Sequence, residues 1–419
     1  MSAWVVHLGF THVSDDDYTR VTIAQAFAHA PSLDPSGTSW LPFPFWLNGA
    51  VMAIAGRSLA VAQGVALVTG VVGAVLVHAA LLRVGVRPIA AFCGVALAMC
   101  APLSAWLGVA TVPEALTASL IAAGALCMAT PDTRPWGAAA LFVAALSRYE
   151  AWPVAVVFAA ACAVSATWRR AAQPRSRWTD AASCALALAG PAAWVLWNAH
   201  AHGDALHFLA RVTAYRARMT SGTSAAGLAL YPVAFVRSGP VALAIAAAGV
   251  PALFVDRDLG RRWIGPLAAM VALVLFLVEG DLRNGAPTHH PERALVAVFW
   301  VGTLFGVDGV ASLATRLAQV RPGRRAWAVG LAAVAALAWI VTWPSRVADF
   351  PGRGVDEDRT LQVVLGTDLR ERGAAHVTLT PCAYEHFAVI AAFGAPERVT
   401  IEPQATGGGK QDCPHIEER

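Results

Sequence analysis

Three consecutive aspartates, Asp15, Asp16 and Asp17, precede Tyr18 and Arg20 near the start of the 419-residue sequence. Adjacent carboxylates repel one another, so such a run needs a cation, an arginine or water beside it. A carboxylate at a membrane surface can act as the general base for an acceptor hydroxyl, and two carboxylates can bind a divalent cation. We therefore predict Asp15 and Asp16 as catalytic residues, and Asp16 and Asp17 as ligands of Mg²⁺ or Mn²⁺. The structural alternative is that these aspartates only favour the start of a helix.

Further ionisable residues lie beside apolar stretches of the chain. Charges at membrane depth are costly, which makes them candidates for function, and arginines in particular suit a phosphate group. The predicted residues of this kind are Arg20, Glu114, Arg148, Glu150, Arg211, His289, His290, Glu292 and Arg293. Glu114 is predicted as a second catalytic acid and the others as substrate-binding residues. Each has a structural alternative: Glu114 follows a proline, as helix starts often do, and Arg148 could simply pair with Glu150.

The amino-acid composition indicates the class of protein in which these residues lie. Hydrophobic residues make up 57% of the chain and charged residues 14%, and the mean hydropathy is +0.55. Soluble domains are typically about 45–50% apolar and about 25% charged. A soluble enzyme and a disordered chain are therefore excluded. The formal net charge of +4 is too small to indicate a nucleic-acid partner. The sequence predicts an all-α polytopic membrane protein.

About ten membrane-spanning helices are predicted, because a span needs roughly 17–25 apolar residues. The clearest runs are Leu59–Leu82, Ile89–Gly108, Ala115–Thr130, Ala181–Ala199, Trp263–Val278, Ala294–Ala314 and Ala326–Trp343. The run Trp136–Trp168 is interrupted at 148–150, which predicts two short helices joined by a tight turn. The run Ala225–Val255 is interrupted at 237–240, which places one span near Pro240–Val255.

Arginines are unevenly distributed between the connections on the two sides. One set of connections has 14 arginines in 42 residues, and the other has 7 in 64. The positive-inside rule puts the arginine-dense set in the cytoplasm. Residues 1–58 then form a first outer loop, 59–344 the transmembrane domain and 345–419 an outer segment, with the candidate site on the periplasmic face of the inner membrane. Either the first span carries its own N-terminus outward or, as we favour, a helix precedes residue 1.

The last segment, 345–419, has the pattern of a small α/β lobe. Val377–Thr380 and Val399–Ile401 are predicted as short strands around a helix near Ala383–Phe393. Two cysteines, Cys382 and Cys413, fall in this segment. A disulfide between them is permitted on the outer side of the membrane.

Several of these motifs together resemble the GT-C superfamily, multi-pass glycosyltransferases that use polyprenyl-phosphate sugars and include protein mannosyltransferases and aminoarabinose transferases. The Asp15-Asp-x-Tyr18 motif and the Thr38-Ser-Trp-Leu-Pro42 stretch resemble the first outer loop of that family. Arg148-Tyr-Glu150 resembles its Arg-Pro-Glu turn with tyrosine in place of proline. The segment 202–208 resembles its Gly-Asp-Pro-Leu loop. Pro291-Glu-Arg293 resembles its Pro-x-x-Arg element, with Ala294 where tyrosine is usual.

The resemblance implies a GT-C-like fold and an inverting sugar transfer to a glycan, lipid or protein acceptor of the cell envelope. It implies that Asp15 is the general base and that Asp16 orients the acceptor or a cation. Arg148, Arg211 and Arg293 become candidates for holding the donor phosphate. The alternatives are a transporter or lipid-linked sugar flippase, which would place charges near the midplane in repeated halves, and a non-catalytic homologue.

Overall fold

The computed structural model of the protein describes most of the chain. The described residues are 1–168, 174–219, 227–283, 290–320, 345, 347–348, 355, 357–380, 384–402 and 415–418. The helices of the first half are α1 (Ser2–His7), α2 (Asp16–His29), α3 (Phe43–Ala55), α4 (Leu59–Arg83), α5 (Pro88–Met99), α6 (Pro102–Leu107), α7 (Glu114–Cys127), α8 (Arg134–Ala145) and α9 (Ala151–Trp168). The helices that follow are α10 (Pro174–His202), α11 (His207–Met219), α12 (Gly227–Ser238), α13 (Pro240–Val255), α14 (Arg257–Leu282), α15 (Pro291–Ala294), α16 (Val296–Val320), α17 (Thr360–Glu371) and α18 (His386–Phe393).

Within the described residues, four helices are long and apolar enough to cross a membrane. They are α4, α10, α14 and α16, and the bent pair α12–α13, which turns by 86°, could provide a fifth. Helices α3, α5, α7 and α9 are apolar but shorter. The chain is thus a multi-pass membrane protein by the length and composition of its helices, while the count of ten spans stays a prediction. The predicted span Ala326–Trp343 lies outside the described residues.

Two predicted breaks are confirmed, and one predicted span is wrong. Helix α8 ends before Arg148 and α9 begins after Glu150, and α12 and α13 separate at Gly239. The run Ile89–Gly108, predicted as one span, is divided into α5 and α6. Ala101 precedes Pro102 and has extended backbone angles, φ −58° and ψ 142°. A residue before proline is disfavoured in the helical conformation, which explains the break.

Small residues let the helices of the bundle approach closely. A Cβ placed on Gly249 of α13 would lie 2.7 Å from the Cα of Gly306 on α16. Without a hydrophobic driving force in lipid, helices associate by close packing, and glycine allows the closest approach. The closely packed helices of the bundle therefore support the loops that connect them.

The C-terminal residues form a three-stranded sheet with the order β2–β1–β3. Strands β1 (Val377–Thr380) and β2 (Val399–Ile401) are parallel, and β3 (His415–Glu418) is antiparallel to β1. The two predicted strands are confirmed, and the helix between them is α18. Leu369, Val377 and Phe393 belong to a hydrophobic core formed by these elements. Cys382 and Cys413 lie outside the described residues, so their disulfide stays a prediction.

This C-terminal unit packs against the segment that carries the aspartates. Ala388 and Ala391 of α18 share a core cluster with Tyr18 and Val21 of α2. The Gln25 side-chain amide donates a buried 2.7 Å hydrogen bond to the Ala391 carbonyl oxygen. Residues separated by more than 360 positions therefore hold α2 in place.

Candidate functional site

Glu114 is the centre of a buried ion-pair cluster. Its Oε1 accepts hydrogen bonds from Arg148 Nη1 at 2.5 Å, Arg293 Nε at 2.9 Å and Arg293 Nη2 at 2.6 Å. Arg148 also donates from Nε and Nη2 to Glu150 Oε1, at 3.0 and 2.5 Å. Three separate segments meet here: the start of α7, the turn between α8 and α9, and α15. Four predicted site residues are thus brought together, and these contacts define the Glu114 cluster: Glu114, Arg148, Glu150 and Arg293.

The polypeptide places each member of the cluster for a local reason. Pro113 ends the preceding loop, so α7 begins with Glu114 at its positively polarised end. Burial lowers the pKa of Arg293, but Glu114 and Asp16 outweigh it and raise this pKa above its usual value. Arg148 behaves in the same way. Burial lowers its pKa, but the carboxylates of Glu150 and Glu114 raise the pKa by more, so it lies above the usual value. Both arginines are therefore fixed cations.

Arg20 is another buried arginine, and it has no carboxylate partner among the described residues. Its guanidinium carbon lies 4.2 Å from the centroid of the Trp40 ring and 5.6 Å from that of Phe45. Its Nε is buried without a hydrogen-bond partner, and no ion pair to it occurs among the described residues. Burial lowers the pKa of Arg20 to about 10 despite the charges of Glu114 and Asp16. Arg20 is therefore a charged, desolvated group that an anion would satisfy.

The three aspartates have three different environments. Asp15 is held by Arg359, which donates from Nε to Oδ1 and from Nη2 to Oδ2, both at 2.8 Å. Asp16 has a half-exposed side chain, and its Oδ2 lies 3.7 Å from Arg293 Nη2. Asp17 is buried within the protein. The aspartate with solvent access beside the Glu114 cluster is therefore Asp16.

Asp17 joins two loops to each other. Its Oδ1 accepts a 2.7 Å hydrogen bond from the Thr111 backbone N–H, and its Oδ2 accepts from the N–H groups of Val13 and Ser14. The helix-start alternative is partly right, since α2 begins at Asp16, but none of the aspartate side chains caps it in the usual way. Asp17 instead fixes the aspartate segment against the loop that leads to Glu114.

The contacts of Asp17 bear on the predicted metal site at Asp16 and Asp17. Both oxygens of Asp17 already accept hydrogen bonds, which leaves Asp16 as a single carboxylate next to a cation. Within the part of the chain that the structure describes, no group of three or more His, Cys, Asp or Glu residues could hold a metal. The metal at Asp16 and Asp17 therefore stays a prediction, and no step proposed below passes through a metal.

The remaining predicted residues lie at the margins or apart. Glu292 pairs with His290 at 3.4 Å, next to Arg293. Arg211 is exposed on α11, and in the described residues no ion pair or hydrogen bond joins it to the Glu114 cluster. His289 lies outside the described residues.

Sequence reasoning did not find two residues of the site. Arg359 is 344 positions from Asp15 and stands in no motif that could have indicated it. Ser14 accepts a hydrogen bond from Arg293 Nη1 at 2.9 Å. Its position beside the aspartates was visible in the sequence, but its partner was not.

Asp17 makes the stability of the protein depend on pH. Burial raises its pKa from 3.8 to about 6, although Arg293 and the N–H groups of Thr111, Ser14 and Val13 lower it. A raised pKa means that folding favours the protonated form. The resulting contribution to the free energy of unfolding, about 3 kcal/mol at most, is complete below about pH 4 and is lost as the pH rises through about 6.

We therefore expect the stability difference between wild type and Asp17→Asn to change with pH. From pH 4 to pH 7, wild type should lose stability relative to the variant, whose amide does not titrate. Thermal unfolding of both proteins in one detergent at four pH values measures this difference, and other titrating groups cancel in the comparison. A difference that stays constant, or that grows in favour of wild type as the pH rises, would contradict the expectation.

Comparisons with known proteins show a likeness in structure. No family model and no curated protein matches the sequence. The crystal structure of ArnT from Cupriavidus metallidurans bound to undecaprenyl phosphate is similar, with a TM-score of 0.50 and 14% sequence identity, over 94% of this chain and 73% of that chain. At this identity the likeness concerns the fold, and it agrees with the resemblance described above. The chain therefore has a membrane fold like that of ArnT.

Proposed function

We propose that the protein is a membrane glycosyltransferase that moves a sugar from a polyprenyl-phosphate donor to a hydroxyl acceptor. The observation that carries the proposal is the juxtaposition of a half-exposed carboxylate, Asp16, with the buried arginines Arg293 and Arg20. Sugar transfer from a lipid phosphate needs a base for the acceptor and cations for the departing phosphate. ArnT was crystallised with undecaprenyl phosphate, which supports a lipid-phosphate donor for the shared fold.

Arg20 is suited to the donor phosphate. Its guanidinium stacks on Trp40 and has no carboxylate partner among the described residues, so an anion would gain charge-assisted hydrogen bonds without displacing another. Arg148 and Arg293 are already bonded to Glu114. They would add positive potential from fixed positions, which requires no rearrangement as charge develops on the phosphate.

Asp16 is suited to the acceptor. The acceptor hydroxyl would give its proton to the Asp16 carboxylate while its oxygen forms a bond to the anomeric carbon. The bond between that carbon and the phosphate oxygen breaks, and its electron pair leaves with the phosphate. A single displacement of this kind inverts the anomeric centre. Asp15, which the family resemblance favours as the base, has both oxygens bonded to Arg359, so we assign it to positioning.

The location of the reaction follows from the predicted orientation. We place the site on the periplasmic face of the inner membrane, where the arginine-poor connections are expected. The acceptor would be a glycan, lipid or protein of the cell envelope. A membrane-embedded donor and an exposed base at the end of the helical bundle are consistent with this arrangement.

A transfer assay tests the proposal. The full chain in liposomes is given radiolabelled polyprenyl-phosphate sugars, with membrane extract as acceptor, beside an Asp16→Asn variant. Transfer by wild type that is lost in the variant supports the proposal. No transfer from any donor, together with flux of a solute or of the donor lipid across the bilayer, would favour the transporter or flippase alternative.

Arg20→Gln is expected to raise the KM for the donor by about tenfold or more, because it removes a charge-assisted bond to the phosphate. Arg20→Lys should have a smaller effect, since it keeps the charge but loses the planar guanidinium. Arg237→Gln, at an exposed arginine of α12, is the matched control and should leave KM unchanged. Initial rates over a range of donor concentrations measure the effect. If Arg20→Gln has the KM of wild type, the donor phosphate binds elsewhere.

A further inference from the structure

An arginine-lined cavity lies between the C-terminal unit and the start of α4. Its volume is about 230 Å³, and its lining includes Arg57, Arg370 and Arg398. Arg57 belongs to the connection between α3 and α4, Arg370 to α17, and Arg398 to the turn before β2. The cavity shares no lining residue with the Glu114 cluster or with Arg20.

The charges around this cavity are unbalanced. Arg57 forms a bidentate ion pair with Glu397, with N–O distances of 2.7 and 2.8 Å. Neither Arg370 nor Arg398 forms an ion pair with a carboxylate in the described ranges. Three guanidinium groups thus face one carboxylate, and planar guanidinium groups match the oxygens of a phosphate.

Two glycines at helix ends line the cavity. Gly373 follows α17 with φ +72°, and Gly394 follows α18 with φ +84°. Both conformations favour glycine at the end of a helix. A Cβ on Gly394 would collide with the Arg57 carbonyl oxygen, so a side chain there would push apart the two segments that line the cavity. The close approach of these two segments therefore requires glycine at position 394.

The position along the chain puts the cavity beside the membrane surface. Arg57 lies two residues before Leu59, where the apolar helix α4 begins. Ile54, just before it, is 91% exposed, as expected for a side chain that contacts lipid. Basic residues at the end of a span lie at the level of lipid headgroups and attract anionic lipids.

We propose that the cavity lined by Arg57, Arg370 and Arg398 is a phosphate-binding site, distinct from the Glu114 cluster. Its ligand is a phosphate ester with a small polar group attached. That chemistry belongs both to the headgroup of an anionic phospholipid and to a soluble phosphate ester. The position of the cavity next to the start of α4, where lipid headgroups are expected, makes it accessible to the first source.

The test uses the full chain purified in a neutral detergent. Its affinity is measured for dioctanoyl phosphatidylglycerol, for dioctanoylglycerol, which lacks the phosphate, and for glycerol 1-phosphate. The variant Arg370→Gln/Arg398→Gln is compared with Arg372→Gln, which changes a neighbouring arginine that does not line the cavity and pairs with Asp368. Arg370 and Arg398 are exposed, so the double variant should fold. Arg398→Gln alone, in the turn before β2, provides a second variant.

We expect the double variant to lose at least about tenfold in affinity for phosphatidylglycerol, since each arginine contributes a charged hydrogen bond. Arg372→Gln and Arg20→Gln should keep the wild-type affinity, which separates this cavity from the proposed donor site. Glycerol 1-phosphate binding as tightly as the lipid would identify a soluble ester as the ligand, and much weaker binding would identify the lipid headgroup. Equal affinity of wild type and the double variant, or equal binding of dioctanoylglycerol, would overturn the proposal.

Discussion

Asp16→Asn is expected to lower the rate of sugar transfer by about 10²–10⁴-fold, the usual contribution of a general base, while the protein stays folded. The Asp16 side chain is half-exposed, and its one ion pair among the described residues is a long 3.7 Å approach to Arg293. Removing its charge therefore costs little stability, and an amide cannot accept the proton of the acceptor hydroxyl. The rate at saturating donor measures the effect, with thermal unfolding as the check on folding.

Asp15→Asn is the matched control for this prediction. The two residues are adjacent, but Asp15 is bonded through both oxygens to Arg359. We expect Asp15→Asn to lower the melting temperature and to reduce the rate by less than Asp16→Asn does. The opposite order, with the larger loss of rate in Asp15→Asn and no loss of stability, would show that Asp15 is the base, as the family resemblance implies.

Glu114→Leu is expected to destabilise the protein by about 3–5 kcal/mol, the cost of leaving a buried charge without its partner. Only 2% of Glu114 is exposed, so water cannot replace the carboxylate. Two arginines, Arg148 and Arg293, would lose a common acceptor. Chemical unfolding in detergent measures the loss in free energy.

Glu150→Gln provides the comparison for Glu114. Glu150 bonds only to Arg148 within the described residues, and Arg148 keeps its bond to Glu114 when Glu150 is changed. We expect Glu150→Gln to cost clearly less stability than Glu114→Leu. If the two variants are equally stable, Glu114 is not the residue that holds the cluster together.

The membrane class and several helix limits could be predicted from sequence because they depend on local properties. An apolar fraction of 57% leaves too little polar surface for a soluble particle. The interruptions at 148–150 and 237–240 were visible because charged residues and prolines break an apolar helical run. The single span predicted over Ile89–Gly108 failed for the same kind of local reason, since Pro102 ends the helix before it.

Some residues of the site could be predicted from the sequence in the same way. Glu114, Arg148 and Arg293 could be predicted as site residues because a charge beside an apolar run is costly, which makes it a candidate for function. These three residues share one set of hydrogen bonds because α7, the α8–α9 turn and α15 pack together. That packing could not be predicted from the sequence. The exposed position of Arg211 on α11 likewise follows from packing, and no motif indicated it.

The division of roles among the three aspartates was decided by the tertiary structure alone. Successive residues at the start of a helix point in directions about 100° apart, so identical neighbours meet different surroundings. Asp15 meets Arg359 from the C-terminal unit, Asp17 meets the loop before α7, and Asp16 is left beside Arg293. The residue types and their order along the chain are enough to predict a membrane protein with an acidic and arginine-rich site. Which carboxylate is free to react depends on contacts between residues 94 to 344 positions apart, and only the folded chain brings those together.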